Sequence, residues 1–108
     1  MRILLYILNE QGVPVLEPDM DKWIAFQTTE RYRFQLKEEG DGYFISTIFL
    51  GLDHGFGMSK SPILWETMIF IKEGIAMQER CAGTLEQAEA MHADVKQRFI
   101  KLPAPHIS

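Results

Sequence analysis

Residues 43–72 have the sequence YFISTIFLGLDHGFGMSKSPILWETMIFIK, in which two apolar segments flank a loop that contains three glycines. Tyr43–Leu50 and Ile63–Lys72 are rich in β-branched and aromatic residues, which predicts two strands. The loop between them, residues 51–62, is longer than a hairpin connection of about two to five residues. The stretch therefore predicts the centre of a β-sheet with a long loop at one end.

Further elements are predicted upstream of this stretch. Residues 2–8 are mostly apolar and predict a strand, which a proline-containing connection over residues 9–18 follows. A helix is predicted over residues 20–29, because an aspartate can cap it and its apolar residues fit one side. A strand over Arg31–Lys37 then leads into a turn at residues 38–42, whose glycines accept positive φ.

Downstream of the stretch the sequence predicts a hairpin and a helix. Glu73 and Gly74 form a turn into a fifth strand over residues 75–81. A long amphipathic helix begins at Thr84, where Thr84 and Gln87 have the spacing of a capping box. The resulting order, β-α-β-β-β-β-α, predicts an α+β domain with a mostly antiparallel sheet of about five strands. The C-terminal helix is expected to pack on one face of that sheet.

The domain organisation is simple. A chain of 108 residues is expected to form one domain, here residues 1–102. Residues 103–108 contain two prolines, which prevent the helix from continuing, so we expect a flexible C-terminal tail.

The composition narrows the class of protein. The 11 lysine and arginine residues against 15 aspartate and glutamate residues give a net charge of −4, so we expect no nucleic-acid partner. The single cysteine, Cys81, suggests a reducing compartment and is expected to be a buried, inert thiol. The N-terminal apolar segment runs directly into turn residues, and no segment is long enough to span a membrane. These features predict a soluble, cytoplasmic protein with no membrane partner.

Three blocks of the chain, the first of them the short start over residues 6–23, resemble a family of small uncharacterised proteins of bacteriophages and prophages. The central block is STIFLGLDHGFG at Ser46–Gly57 followed by PILWETMIF at Pro62–Phe70, and it is similar to the family's STVFLGLDHxFG…PPLLFETMVF motif. A later block, ERCAGTLEQAEAMH at Glu79–His92, is similar to the end of the family pattern. The resemblance implies a phage origin and hence the host cytoplasm, and it implies no activity.

The 51–62 loop supplies the first candidate site residues. It contains Asp53, His54 and Lys60 near several serines and glycines. A loop histidine can act as a base, a metal ligand or a donor to a bound molecule, and the lysine and free backbone N–H groups could hold an anion. The alternative is a structural connection without a function of its own.

Glu66 and Arg80 form the second candidate group. Strand alternation places Glu66 among apolar residues on one face, where a buried carboxylate needs a partner or a proton. Counting across the turn between the last two strands places Arg80 near Glu66, so we expect a structural ion pair. The alternative is that Glu66 is an acidic residue at the floor of a site beneath the loop.

His92 lies at the margin of the apolar face of the C-terminal helix. We expect a half-buried histidine with a hydrogen-bonded nitrogen. His54, Glu66 and His92 could together form a two-histidine, one-carboxylate metal site, but their spacing follows no known ligand pattern. We therefore expect no metal and no cofactor.

The preferred hypothesis for function is a non-enzymatic phage or prophage accessory protein that binds, and thereby inhibits, a host defence protein. An exposed patch that contains Trp65 or Trp23 would support it, because aromatic residues are common at binding hot spots.

Two other hypotheses come from different classes. A small-molecule or nucleotide-binding protein would close the 51–62 loop on its ligand, with His54, Lys60 and Arg80 as polar contacts. A sheet with its second face uncovered by helices would also favour a homodimer. An enzyme would use His54 as a base and Glu66 as its partner, with the two side chains within hydrogen-bonding distance.

Overall fold

The computed structural model describes residues 4–56, 58 and 60–102. The tail predicted over residues 103–108 lies outside this part of the chain. The elements in chain order are β1 (Tyr6–Leu8), β2 (Pro14–Leu16), α1 (Met20–Ala25), β3 (Leu36–Gly40), β4 (Tyr43–Phe49), β5 (Ile63–Ile71), β6 (Gly74–Ala82) and α2 (Leu85–Ile100).

The main sheet is antiparallel, with the strand order β3-β4-β5-β6. Two-residue turns connect β3 to β4 and β5 to β6, and both lie at the same end of the sheet. Helix α2 packs on this sheet and contacts β4, β5 and β6. The α+β class, the antiparallel pairing and the packed C-terminal helix are therefore confirmed.

The predicted strand count is wrong, because the first strand belongs to a separate two-stranded sheet. β1 pairs with β2, in the segment predicted as a connection. The turn between them is stabilised by Asn9, whose Oδ1 accepts hydrogen bonds from the backbone N–H groups of Gln11 and Val13, each at 3.0 Å. A side-chain acceptor of this kind allows a short hairpin without the two-residue turn that usually signals one.

The segment between α1 and β3 also differs from the prediction. α1 continues as a π-helical turn over Phe26–Glu30 and a 3-10 turn over Arg31–Phe34, so the strand begins only at Leu36. Phe26 and Phe34 are both buried, and their rings stack with centroids 6.3 Å apart. Packing of these two rings favours the helical path over the extended one, an effect that local strand propensity does not report.

The two faces of the main sheet differ in their environment. The helix face is defined here by Ile45, Thr47 and Phe49 of β4 and Trp65, Thr67 and Ile69 of β5, all almost completely buried. The open face is defined by Lys37 and Glu39 of β3, Phe44, Ser46 and Ile48 of β4, Glu66, Met68 and Phe70 of β5, and Ile75, Gln78 and Arg80 of β6.

Both helical regions contact the helix face. In α2, His92 bonds to Thr47, while the turn after α1 places Phe26 against Phe49 with ring centroids 5.8 Å apart. On the other side, Phe44 and Ile48 of β4 and Met68 and Phe70 of β5 stay partly exposed. Within the described residues the open face therefore has no helix packed on it.

The capping box at the start of α2 is confirmed, and it generates a first test. Thr84 Oγ1 accepts from the N–H of Gln87 at 3.3 Å, and Gln87 Oε1 accepts from the N–H of Thr84 at 2.8 Å. We expect Thr84→Ala to lower the free energy of unfolding by about 1 kcal/mol, because an orphan N–H loses its acceptor. Urea denaturation followed by circular dichroism measures it. Thr28→Ala, which removes only an exposed hydroxyl on a helical turn, is the control and should change stability by less.

Candidate functional site

The Glu66–Arg80 pair lies on the open face, as the sequence predicts. The two residues are direct cross-strand neighbours on β5 and β6. The Glu66 carboxylate is 7% exposed, and its Oε2 accepts from Arg80 Nε at 2.7 Å and from Gln78 Nε2 at 2.8 Å. The carboxylate is therefore held by two donors from the neighbouring strand, while the side chain of Arg80 stays 45% exposed.

The electrostatics of Glu66 favour its charged form. Burial acts to raise its pKa, but the hydrogen bonds from Gln78 and Arg80 and the charges of Arg80 and His54 outweigh burial and lower it. The charge of His54 contributes, so His54 lies near this pair. The hydrogen-bond partners of the carboxylate in the described chain are Gln78 and Arg80, an arrangement that suits a structural ion pair better than the acid of a His54–Glu66 catalytic pair.

Asp53 organises the start of the 51–62 loop. It is 2% exposed, and its Oδ1 accepts from the N–H groups of Gly55 at 2.8 Å and Ile63 at 2.9 Å. The second bond joins the two ends of the loop. The N–H of Asp53 donates to the carbonyl of Leu4 at 3.2 Å, so the start of the loop lies beside the residues that precede β1. Burial, followed by the charge of Asp53, raises the pKa of the Tyr6 hydroxyl. These contacts give Asp53 a role inside the loop.

The other loop candidates have different environments. The N–H of His54 donates to the carbonyl of Ile63 at 2.9 Å, and the residue is half-buried. Lys60 is exposed. Gly57 and Ser59 lie outside the described residues. His54 thus affects the pKa of Glu66 through its charge, which is the smallest of the effects on that pKa, whereas Lys60 lies towards solvent.

Neither tryptophan forms an exposed patch. Trp65 is 0% exposed, and its Nε1 donates to the carbonyl of Gly83 at 2.9 Å, which makes it a core residue rather than a contact for a partner. Trp23 is half-buried and donates from Nε1 to the carbonyl of Gly51 at 2.9 Å. Gly51 has φ 72°, and a Cβ there would lie 2.4 Å from the Gln27 amide, so only glycine fits where α1 meets the loop.

His92 belongs to a buried polar network on the helix face. Its Nδ1 lies 2.7 Å from Thr47 Oγ1, which lies 2.6 Å from Thr67 Oγ1. Its Nε2 lies 3.2 Å from a carboxylate oxygen of Glu38, which also binds Lys96. Because a carboxylate only accepts, Nε2 carries a proton, and a neutral His92 accepts from Thr47. The expectation of a histidine with satisfied nitrogens is confirmed.

The geometry of this network suits a structural role. An open groove of about 460 Å³ passes beside it, lined by Glu38, His92 and neighbouring residues of β3 and α2. Thr47 has the hydrogen bonds of an activated nucleophile, yet it is 0% exposed, so no substrate in the groove can reach its hydroxyl. Hydrogen bonds from Lys96 and then His92 lower the pKa of Glu38, which keeps the carboxylate charged at neutral pH.

Sequence reasoning did not identify Glu38, Thr47 or Lys96. Lys96 lies one turn after His92 on α2, but Glu38 and Thr47 come from two different strands, which only the tertiary fold brings to His92. Sequence reasoning expected a turn at Glu38, where the structure has a strand. A signal was nevertheless present, since Thr47 and Thr67 are the polar residues on otherwise apolar faces of two central strands.

The proposed metal set does not come together in one place. His92 lies on the helix face and Glu66 on the open face, so the sheet separates them. Residues 4–56, 58 and 60–102 contain no group of three histidine, cysteine, aspartate or glutamate residues arranged to hold a metal ion.

Cys81 is half-buried, and burial followed by the charge of Glu79 raises the pKa of its thiol. Neither of the two helices in the described residues could cross a lipid bilayer.

The ion pair on the open face generates a pH-dependent test. The pKa of Glu66 is lower in the folded state than its unfolded value of about 4.3, so its stabilising contribution is present above that pH and is lost as the pH falls through the folded value. We expect Glu66→Gln to lower the free energy of unfolding by about 1 kcal/mol near pH 7, since Arg80 is half-exposed.

The difference between Glu66→Gln and the unmodified chain should shrink in acid, where both side chains are neutral. Urea titrations across the pH range measure it, and Glu39→Gln on the exposed edge of the same face is the matched control. A loss of stability that stays constant from neutral to acid pH would contradict the assignment.

The chain was compared with protein-family models, with curated proteins and with solved structures, and no match was found in any of the three comparisons.

Proposed function

We propose that this protein is a non-enzymatic accessory protein of a phage or prophage, which binds a host protein through its open face and thereby inhibits it. The observation that carries the proposal is the open face itself. It combines partly exposed aromatic and aliphatic side chains with one fixed polar group, the Glu66–Arg80 pair. Such a combination of apolar area and a positioned arginine is typical of protein-binding surfaces.

The apolar part of the open face is continuous across three strands. Phe44 and Phe70 are direct cross-strand neighbours, with ring centroids 6.2 Å apart, and Ile75 is paired with Phe70 on the next strand. Ile75 is 56% exposed. Met68 lies two residues before Phe70 on β5, between Ser46 of β4 and Gln78 of β6. A flexible methionine beside this aromatic pair can adapt to the shape of a partner.

The charges of the open face favour a protein over a nucleic acid. Lys37 and Arg80 are balanced by Glu39 and Glu66, and Arg80 is already paired with Glu66. A surface with no excess of positive charge does not attract phosphate backbones, whereas contact with a protein depends on apolar area and shape. The phage origin and the host cytoplasm come from the sequence resemblance and are part of this proposal.

A small polar ligand is the second candidate, and one observation favours it. The charge of His54 contributes to the lowered pKa of Glu66, so this loop residue lies within electrostatic range of the Glu66–Arg80 pair. A ligand there would meet donors from Arg80 and the imidazole. The two candidate functions differ in what co-purifies with the protein, which is a host protein for the first and a small ligand for the second.

The test is native mass spectrometry of the protein recovered from host lysate. We expect a host protein bound in a one-to-one ratio, and we expect Met68→Lys to weaken it at least tenfold, because a buried lysine charge costs more than about 1.4 kcal/mol. Met20→Lys places the same change on α1, where Met20 is 54% exposed, and should leave binding unchanged.

Two outcomes would contradict the proposal. Equal weakening by both lysine variants would show that the open face is not the binding surface. A small mass increment that disappears on denaturation, with no bound protein, would favour the second candidate and make His54→Ala the next variant.

A further inference from the structure

The two edges of the main sheet are protected to different degrees. β3 has five residues, of which Lys37, Glu38 and Glu39 are charged, and short charged edge strands resist pairing with other chains. β6 has nine residues, and those from Gly74 to Gln78 carry no charge. In the described part of the chain, no strand pairs with the outer side of β6. The edge at β6 is therefore the one that another strand could extend.

The direction of the backbone groups on β6 follows from the register. Leu50 N–H donates to the carbonyl of Leu64, so even-numbered β5 residues bond towards β4 and odd-numbered ones towards β6. Thr67 therefore exchanges hydrogen bonds with Glu79, and the N–H and C=O groups of Gln78 and Arg80 point outwards. The pairing of β5 with β6 has two register shifts. One lies nearer the turn, between Ile75 and Met77, and the other lies beyond Cys81, between Trp65 and Ile63 of β5, so residues 77–81 are regularly paired.

The side chains of the same residues have complementary unused groups. Gln78 donates from Nε2 to Glu66, which leaves its Oε1 to accept, and Arg80 donates from Nε, which leaves its Nη groups to donate. An open cavity of about 380 Å³ is lined by Gln78, Glu79 and Arg80. A second strand in this position would fill the cavity and bring the acceptor and the donors together.

We propose that β6 pairs antiparallel with β6 of a second copy of this chain, about a two-fold axis through Glu79. Gln78 of each copy then lies opposite Arg80 of the other, and their outward backbone groups form the hydrogen-bonded pairs. The result is a continuous sheet of eight strands. Arg80 of the second copy completes the polar group around Glu66, so the candidate site is formed by both copies.

The neighbouring charges are compatible with this register. The two Glu79 side chains meet on the helix face, and each is paired with an Arg98 that also binds Asp94 at 2.8 Å. Cys81 lies opposite Met77 of the second copy. An axis through Arg80 or through Gln78 would instead place that residue opposite its own copy, and either register would lose the pairing of Gln78 with Arg80. The match between the Gln78 acceptor and the Arg80 donors therefore favours a second copy of the chain, in this one register.

The first experiment compares proline variants at the two edges by analytical ultracentrifugation. Gln78→Pro and Lys37→Pro each remove an outward N–H and leave the bonds inside the sheet intact. We expect a dimer for the unmodified chain and for Lys37→Pro, and a monomer for Gln78→Pro. Gln78→Ala keeps the outward N–H but loses the side-chain contacts, including the bond to Glu66, and should raise the dimer dissociation constant about fivefold. A monomeric unmodified chain, or a dimer that Gln78→Pro leaves intact, overturns the proposal.

The second experiment tests the register without a proline. In a Cys81→Ser background, Glu79→Cys places two thiols at a non-hydrogen-bonded pair with Cα atoms about 4.5 Å apart, within the range that a disulfide spans. We expect a covalent dimer on mild oxidation, seen on a non-reducing gel, and none for Glu39→Cys at the other edge. Cross-linking of the unmodified chain through Cys81, with none for the Glu79→Cys variant in the Cys81→Ser background, would indicate a different register and overturn this one. Partner binding through the open face is tested separately above, so either proposal can fail alone.

Discussion

The alternation of side chains along β5 is the constraint on which the rest of the molecule depends. Successive residues of this central strand point to opposite faces, so Trp65 enters the core while Glu66 faces the open side. One strand therefore supplies both a ring that packs on Phe49 in the core and the carboxylate that holds Arg80. A shift of the strand by one residue would bury Glu66 under α2 and expose Trp65, which ties the stability of the core to the position of the site.

The parts of the fold that were predictable are those with local signals. Strong β-propensity marks β4 and β5, and the capping residues mark the start of α2, so these elements lie where the sequence places them. Counting residues across the tight turn between β5 and β6 also predicts the Glu66–Arg80 pair. The path between α1 and β3 was not predictable, because it depends on two phenylalanine rings that stack eight residues apart in the chain.

The network around His92 shows a second limit of sequence reasoning. Its histidine was expected to be hydrogen-bonded, but its partners come from β3, β4, β5 and α2. Only the register of three strands and the rotation of one helix bring them together, and neither is encoded by a short motif. The buried threonines satisfy each other and the imidazole, so the helix face carries polar groups without leaving them unpaired.

The bond from the Asp53 carboxylate to the N–H of Ile63 has a consequence for how the chain folds. The hairpins β3–β4 and β5–β6 close over two-residue turns, whereas β4 and β5 meet only after the much longer intervening segment has been closed, at a greater entropic cost. The hydrogen bond that the N–H of Ile63 donates to Asp53 offsets part of that cost, because it joins the two ends of the segment. We therefore expect the two hairpins to form first and to dock late in folding, and the hydrogen bond between Ile63 and Asp53 to form when they dock.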